Sequence, residues 1–391
     1  MSANNQTHNH SQALSKASAE APTATRADGN RATLASAMRV LRPDLAAMHA
    51  YVVQDAAGMV KLDAMENPYR LSDTLQAALG ARLANVAVNR YPGQRVDALK
   101  QALTQYVDLP SDMGLVLGNG SDELIALLAL ACDRPHAAVL APEPGFVMYA
   151  VSANLQGLTY VGVPLLPDFS LDVDAMLAAI DQHQPAIIYL ANPNNPTANA
   201  WDVDAMRQII AAAPGLVVVD EAYQPFADTT WLDEIRRDAA ANQHVLLMRT
   251  LSKFGLAGVR VGYMVGAAAL ISQIDKLRPP YNISVLNAEC ALFALEHADV
   301  FAGQASAIRA DRTQLQASLA AFPSCEVYPS QANMILMRVP DATKTFQALK
   351  AAGVLVKNVS TMHVLLRNCL RITVGTPDEN AQLLTALKAA L

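Results

Sequence analysis

Short apolar runs separated by helical stretches dominate the middle of this chain. Leu115-Val116-Leu117, Ala137–Ala141, Thr159–Pro164, Ala186–Leu190, Leu216–Val219 and His244–Met248 each read as a strand, most with almost no polar residue. Between them, Leu124–Cys132, Asp172–His183 and Val203–Ala212 carry the 3.6-residue apolar period of helices. A strand–helix alternation sustained from about 115 to 265 predicts an α/β fold with a mostly parallel, doubly wound sheet.

The pattern differs on either side. Residues 32–50 have a helical period (Leu34, Met38, Leu41, Leu45) interrupted by Pro43, and Val60–Ala64 alternates like a short strand. Ser72 is placed to cap a helix running through Leu83, and Val96–Tyr106 is again helical. After Ile271–Arg278, Pro279-Pro280-Tyr281-Asn282 breaks the helix, and a long helix from about Ser284 through Leu319 is expected to be bent or interrupted near Ala298–Gly303. Strands at 326–328, 334–337 and 370–374, with helices at 341–352 and 377–390, predict a smaller α+β domain. The expected division is a tail (1–31), an arm contributing to the small domain and a dimer (32–66), a large domain (67–283), and a linking helix with a small domain (284–391).

Composition narrows the function. Hydrophobic residues make up 52% and charged ones 16% of 391, enough for a large core, and the net charge of −6 offers no footprint for nucleic acid. Cys132, Cys290, Cys325 and Cys369 lack metal-site spacing and read as core thiols in a reducing compartment, so no metal is expected. No apolar run reaches the 18 or so residues of a membrane span. Residues 1–31 are polar and poor in large apolar side chains, which predicts disorder; the chain is expected to be cytoplasmic.

The chemistry centres on Arg249-Thr250-Leu251-Ser252-Lys253, followed by Arg260. A lysine between two apolar segments is desolvated, which lowers its pKa and makes its amine nucleophilic toward carbonyls. Ser252 and Arg260 suit a phosphate, as does Gly118-Asn119-Gly120-Ser121-Asp122-Glu123, a glycine-rich turn opening a helix. Asp220 follows four apolar strand residues, so its carboxylate requires a cationic partner such as a protonated pyridine nitrogen. Phe146, in the turn after Ala137–Ala141, could stack on a flat ring. A Schiff-base lysine beside a phosphate cradle is the protein half of a pyridoxal-phosphate site.

The motifs Asp63–Tyr69, Arg90-Tyr91-Pro92, Gly118–Glu123, Asn192-Pro193-Asn194-Asn195-Pro196-Thr197, Val219–Tyr223, Arg249–Lys253 and Leu370–Thr376 occur in one order. With them the chain resembles fold-type-I pyridoxal-phosphate aminotransferases, and among these the histidinol-phosphate aminotransferases. The resemblance implies that Lys253 holds the cofactor as a Schiff base and shuttles the substrate proton. Asp220 would pair with the ring nitrogen, Asn192 and Tyr223 with the ring oxygen, and Phe146 would stack on the ring. The N–H groups of Ser121 and Asp122, with Ser252 and Arg260, would hold the phosphate. Tyr91 would reach the cofactor phosphate of a second subunit, which implies a homodimer with shared active sites. Arg371 would grip the acidic end of either substrate, with Tyr51, Asn67 and Lys357 as further substrate contacts. The reaction implied converts L-histidinol phosphate and 2-oxoglutarate into imidazole acetol phosphate and L-glutamate, in histidine biosynthesis. A broad aromatic aminotransferase, a related pyridoxal-phosphate decarboxylase and a non-catalytic cofactor-binding regulator share most of these features.

The chain departs from that pattern at three positions. Ala198 replaces a common glycine and is expected to sit in unstrained backbone. Lys357 stands where relatives often carry arginine, keeping charge without the planar fork. Phe146 replaces a common tyrosine and keeps only the stacking face.

Overall fold

The computed structural model describes residues 33–48, 50 and 54–391. The expected tail over residues 1–31 lies outside them. The described residues fall into two units, one ending at Asp55 and one running from Ala56 to Leu391. In the first, a helix over Leu34–Met38 is capped by the Thr33 hydroxyl, and a 3-10 turn over Pro43–Ala47 begins at the proline that interrupts the apolar period.

The second unit opens with β1 (Val60–Lys61). A seven-stranded sheet follows from β2 (Met113–Gly118), β3 (Ala138–Glu143), β4 (Thr159–Pro164), β5 (Ile187–Ala191), β6 (Leu216–Asp220), β7 (Val245–Thr250) and β8 (Gly262–Ala267). Its order is β2-β8-β7-β6-β5-β3-β4, parallel throughout except for β8, which runs antiparallel to both neighbours. Helices cover both faces, which is why the strands are apolar at odd and even positions alike. Val217 and Val219 pack into one core while Val218 packs into the other; Leu247 and Leu246 divide in the same way. Each such fully buried aliphatic side chain contributes on the order of 1.5–3 kcal/mol.

The remaining strands are β9 (Glu326–Val327), β10 (Met334–Arg338), β11 (Val354–Leu355), β12 (Lys357–Asn358) and β13 (Cys369–Thr373). Four of them form an antiparallel sheet, β12-β13-β10-β9, while β11 pairs in parallel with β1. The short alternating segment near residue 60 is therefore a strand of the C-terminal part.

The long helix is interrupted as expected, into Val285–Glu296 and Ala298–Ala320, at His297. Two details differ from expectation. The strand expected to end at Ala141 extends through Pro142 and Glu143 because β4 continues to pair with it. Ala198 is not relaxed backbone: its φ is 66°, inside the left-handed region, and it is fully buried. Hydrogen bonds on both sides hold it there, Ala198 N–H to the Asn194 carbonyl and Gln331 N–H to the Ala198 carbonyl, each 2.8 Å.

Candidate active site

The carboxyl ends of neighbouring parallel strands bring the site together, where open α/β sheets bind their ligands. Asp220 ends β6, and its register partners are Ala191 at the end of β5 and Met248 in β7. Asn192 follows β5 immediately, and its N–H donates to the Asp220 carbonyl at 2.9 Å. Ser252 and Lys253 follow β7 in one wide turn, through Gly255 at φ 137°. A Cβ on Gly255 would lie 2.8 Å from the Phe301 ring and 3.0 Å from the Asn67 amide, so only glycine fits that turn.

Asp220 is buried, 4% exposed, and makes no ion pair among the described residues. Its Oδ2 accepts the Tyr149 hydroxyl at 2.7 Å and its Oδ1 the Ala222 N–H at 3.1 Å. Burial pushes its pKa up to about 6, against the pull of those two donors. A carboxylate enclosed with neutral donors alone is built to meet a cation that arrives with a ligand.

Lys253 shows the complementary shift. Its Nζ donates to the Ala64 carbonyl at 3.1 Å and lies 6.0 Å from the centre of the Tyr223 ring. Desolvation first, and then the Arg371 guanidinium, lower it to about 8. An ordinary lysine is under ~0.1% neutral at pH 7, whereas this one is roughly 10% neutral. Tyr223 is buried, which raises its pKa and keeps its hydroxyl protonated.

An anion cradle lies at the end of β2. The helix Ser121–Ala131 starts at Gly120 (φ 80°) with no side chain on its first free N–H groups. Arg260, itself in the left-handed region at φ 54°, directs its guanidinium there, donating to the Asp122 carboxylate at 3.2 Å and the Ser252 hydroxyl at 3.3 Å. A Cβ on Gly120 would lie 2.5 Å from that guanidinium, so the glycine is what lets helix N-terminus and arginine share one anion. Arg249, the other arginine of the motif, serves the frame: it is buried and bonds Glu221 through Nε and Nη2 at 3.0 and 2.8 Å.

Arg371, on β13, donates to the Asn195 side-chain oxygen and the Asp63 carbonyl, both at 2.7 Å. Lys357 stands directly opposite it on β12, so both cations share one sheet face. Phe146 is half-buried and packs edge-on against Tyr149 at 5.6 Å. Asn67 spends its amide inside the protein, donating to Gln304 and accepting the Tyr69 N–H, each 2.9 Å. Tyr91 is 76% exposed and stacks on Tyr281, centroids 4.2 Å apart. Tyr51 lies outside the described residues. Sequence reasoning missed Tyr149 and Asn195; the signals were an aromatic three residues after Phe146 and a third asparagine between the loop prolines.

The profile of the family described as "Aminotransferase class I and II" matches residues 57–387. The chain belongs to the class I and II aminotransferases. It is 62% identical over 367 residues to the histidinol-phosphate aminotransferase of Paracidovorax citrulli, covering 92% of this chain and 99% of that one. It is 59% identical over 356 residues to that of Methylibium petroleiphilum, covering 90% and 95%. Among solved structures, histidinol-phosphate aminotransferase from Sinorhizobium meliloti, in complex with pyridoxal-5'-phosphate, has the same fold, with a TM-score of 0.77 over 90% of this chain and 97% of that one at 23% identity. As an aminotransferase of this class the chain works with pyridoxal phosphate, and its residues fit that group. The helix N-terminus with Arg260 suits the phosphate, Lys253 the aldehyde, and Asp220, without an ion pair among the described residues, a protonated ring nitrogen. No helix among the described residues is long and apolar enough to cross a membrane.

Proposed function

We propose that this aminotransferase transfers the amino group of L-histidinol phosphate to 2-oxoglutarate, giving imidazole acetol phosphate and L-glutamate, a step of histidine biosynthesis. The relatives at 59–62% identity, spanning nearly the whole chain, carry that name. The observation that carries the reading is the opposed pair Lys357 and Arg371, two cations on one face for a substrate whose distinguishing group is a phosphate.

When bound, pyridoxal phosphate supplies an aldehyde that takes up the amino group and a ring that accepts electrons from the bond broken at the substrate Cα. The chain's residues do the rest. Lys253, partly neutral near pH 7, would hold the cofactor's aldehyde carbon and, once freed, would serve as the base that takes up and returns the substrate's Cα proton. Asp220 would hold the ring nitrogen protonated, Asn192 and Tyr223 would bond the ring oxygen, and Phe146 would stack on the ring. Ser121, Asp122, Ser252 and Arg260 hold the phosphate. Arg371, braced by Asn195 and Asp63, would take the acidic end of either substrate, with Lys357 beside it.

The same reading includes a homodimer in the cytoplasm, with the exposed Tyr91 reaching a second subunit's site. Free cysteines and an exposed Tyr91–Tyr281 pair support it. It takes residues 67–283 as the cofactor-binding domain, 284–391 as the smaller one, and 32–66 as an arm. In support, the seven-stranded sheet falls within 113–267 and the four-stranded one within 326–373.

The test is glutamate formation from 2-oxoglutarate with L-histidinol phosphate as donor. Wild-type protein turns over and Lys253→Ala does not; full activity in that variant overturns the assignment of Lys253.

A further inference from the structure

Among the described residues, the side-chain hydrogen bond to the Asp220 carboxylate comes from Tyr149. It comes from the helix Met148–Gln156 that follows β3, is 2% exposed, and donates its hydroxyl to Asp220 at 2.7 Å. Its ring lies flat on Tyr189 of β5, centroids 4.1 Å apart and planes 6° apart. Phe146 meets its edge. The two stacked tyrosines differ in one respect: the Tyr189 hydroxyl is buried and has no hydrogen-bond partner among the described residues. Stacking fixes both rings, but only one oxygen is aimed at the carboxylate.

We propose that Tyr149 is a positioning residue for the cofactor's ring nitrogen, orienting Asp220 and keeping it charged so that it can accept the ring N–H. This rests on the reading that Asp220 faces that nitrogen. An ionised carboxylate has about four lone-pair positions, so the Tyr149 and Ala222 donors leave room for a third. The balance around the carboxylate is close. Burial and the negative Asp122 and Glu221 favour its protonated form, and the two donors oppose them. Tyr189 and Tyr223 also face this cluster, and burial raises the pKa of both, so they stay neutral. No lysine or arginine bonds Asp220 among the described residues. Burial and the adjacent Asp220 hold the Tyr149 hydroxyl well above its usual range, so it remains a donor. Without that hydroxyl, one backbone N–H would stand against the whole desolvation cost, and Asp220 would take up a proton nearer neutrality. A neutral carboxyl cannot balance a protonated ring nitrogen.

The test uses cofactor-free full-length protein and pyridoxamine phosphate, which has no aldehyde to react with Lys253 and so reports on non-covalent holding alone. Its dissociation constant is measured by equilibrium dialysis across pH for wild type, Tyr149→Phe, Tyr189→Phe and Asp220→Ala. In wild type, affinity rises with pH through about 6 and levels off. In Tyr149→Phe, which keeps the ring stack, the rise moves up by about one pH unit, with roughly tenfold weaker binding on the slope. Tyr189→Phe, which loses only an unpartnered oxygen, follows wild type. A wild-type profile in Tyr149→Phe, with affinity lost in Asp220→Ala, overturns the proposal and leaves the Asp220 reading intact. Wild-type affinity in Asp220→Ala brings down that reading and the Tyr149 proposal together.

Discussion

Lys357 and Arg371 are register partners in adjacent antiparallel strands, so their side chains rise from the same face of the small sheet. Arg371 is braced by Asn195 and the Asp63 carbonyl, and its charge also reaches Lys253. Lys357 has the mobile stem and point charge that follow a phosphate without fixing its orientation.

The pair predicts a split in the kinetics. Lys357→Ala raises KM for L-histidinol phosphate about tenfold, with little change for glutamate. Arg371→Ala weakens both, since one guanidinium serves both acidic groups. Steady-state kinetics with each donor checks this; equal effects of Lys357→Ala on the two donors would contradict it.

Arg371 adds to desolvation in lowering the pH at which Lys253 reacts. The folded-state pKa of Lys253 is lowered from 10.5 to about 8, so the neutral amine grows as pH rises through about 8. The rate at which cofactor-free protein captures pyridoxal phosphate, followed by its absorbance, rises over the same range. Arg371→Gln removes the largest charge effect after desolvation, and the rise moves toward higher pH. An unmoved profile would show that desolvation alone sets the value.

Asp220 carries a stability cost. Its pKa is raised in the folded protein from 3.8 to about 6, so the unfolded chain loses its proton first as pH rises. The cost is absent below about pH 4, grows through about pH 6, and reaches roughly 3 kcal/mol above that. Asp220→Asn therefore stabilises cofactor-free protein by about 1–3 kcal/mol at pH 8, while weakening cofactor binding. Denaturant unfolding at pH 4 and pH 8 measures the difference; equal stabilities of wild type and variant at pH 8 would refute it.

Ala198 is a backbone prediction. Left-handed alanine costs about 1–2 kcal/mol, set here against a buried methyl and two backbone hydrogen bonds. Ala198→Gly leaves stability within about 1 kcal/mol, since relief of strain offsets lost packing and greater chain entropy. Ala198→Val adds β-branching at positive φ in a filled core and costs about 3 kcal/mol or more. Thermal unfolding of the two variants checks the pair, and a Val variant as stable as wild type would contradict the strain.

The sheet and the principal chemistry were legible because both are written in side chains. Apolar runs marked the strands, and a charged residue directly after such a run, Asp220 or Lys253, marked its carboxyl end. Tyr149 was not legible, because a tyrosine near an apolar helix start reads the same whether it packs or bonds a carboxylate three strands away in sequence. Asn195 was hidden similarly: its partner Arg371 lies 176 positions on. The φ of Ala198 was misread since alanine carries no mark of the left-handed region.

The central claim, that the phosphate of L-histidinol phosphate is read by this site, is tested most directly by a single half-reaction. Purified cofactor-loaded protein is mixed with L-histidinol phosphate, with histidinol, or with phenylalanine, and the loss of the cofactor's visible absorbance is timed. Conversion by L-histidinol phosphate is expected to be fast, and conversion by the other two much slower. Equal rates with phenylalanine would contradict it and mark a broad aromatic aminotransferase instead.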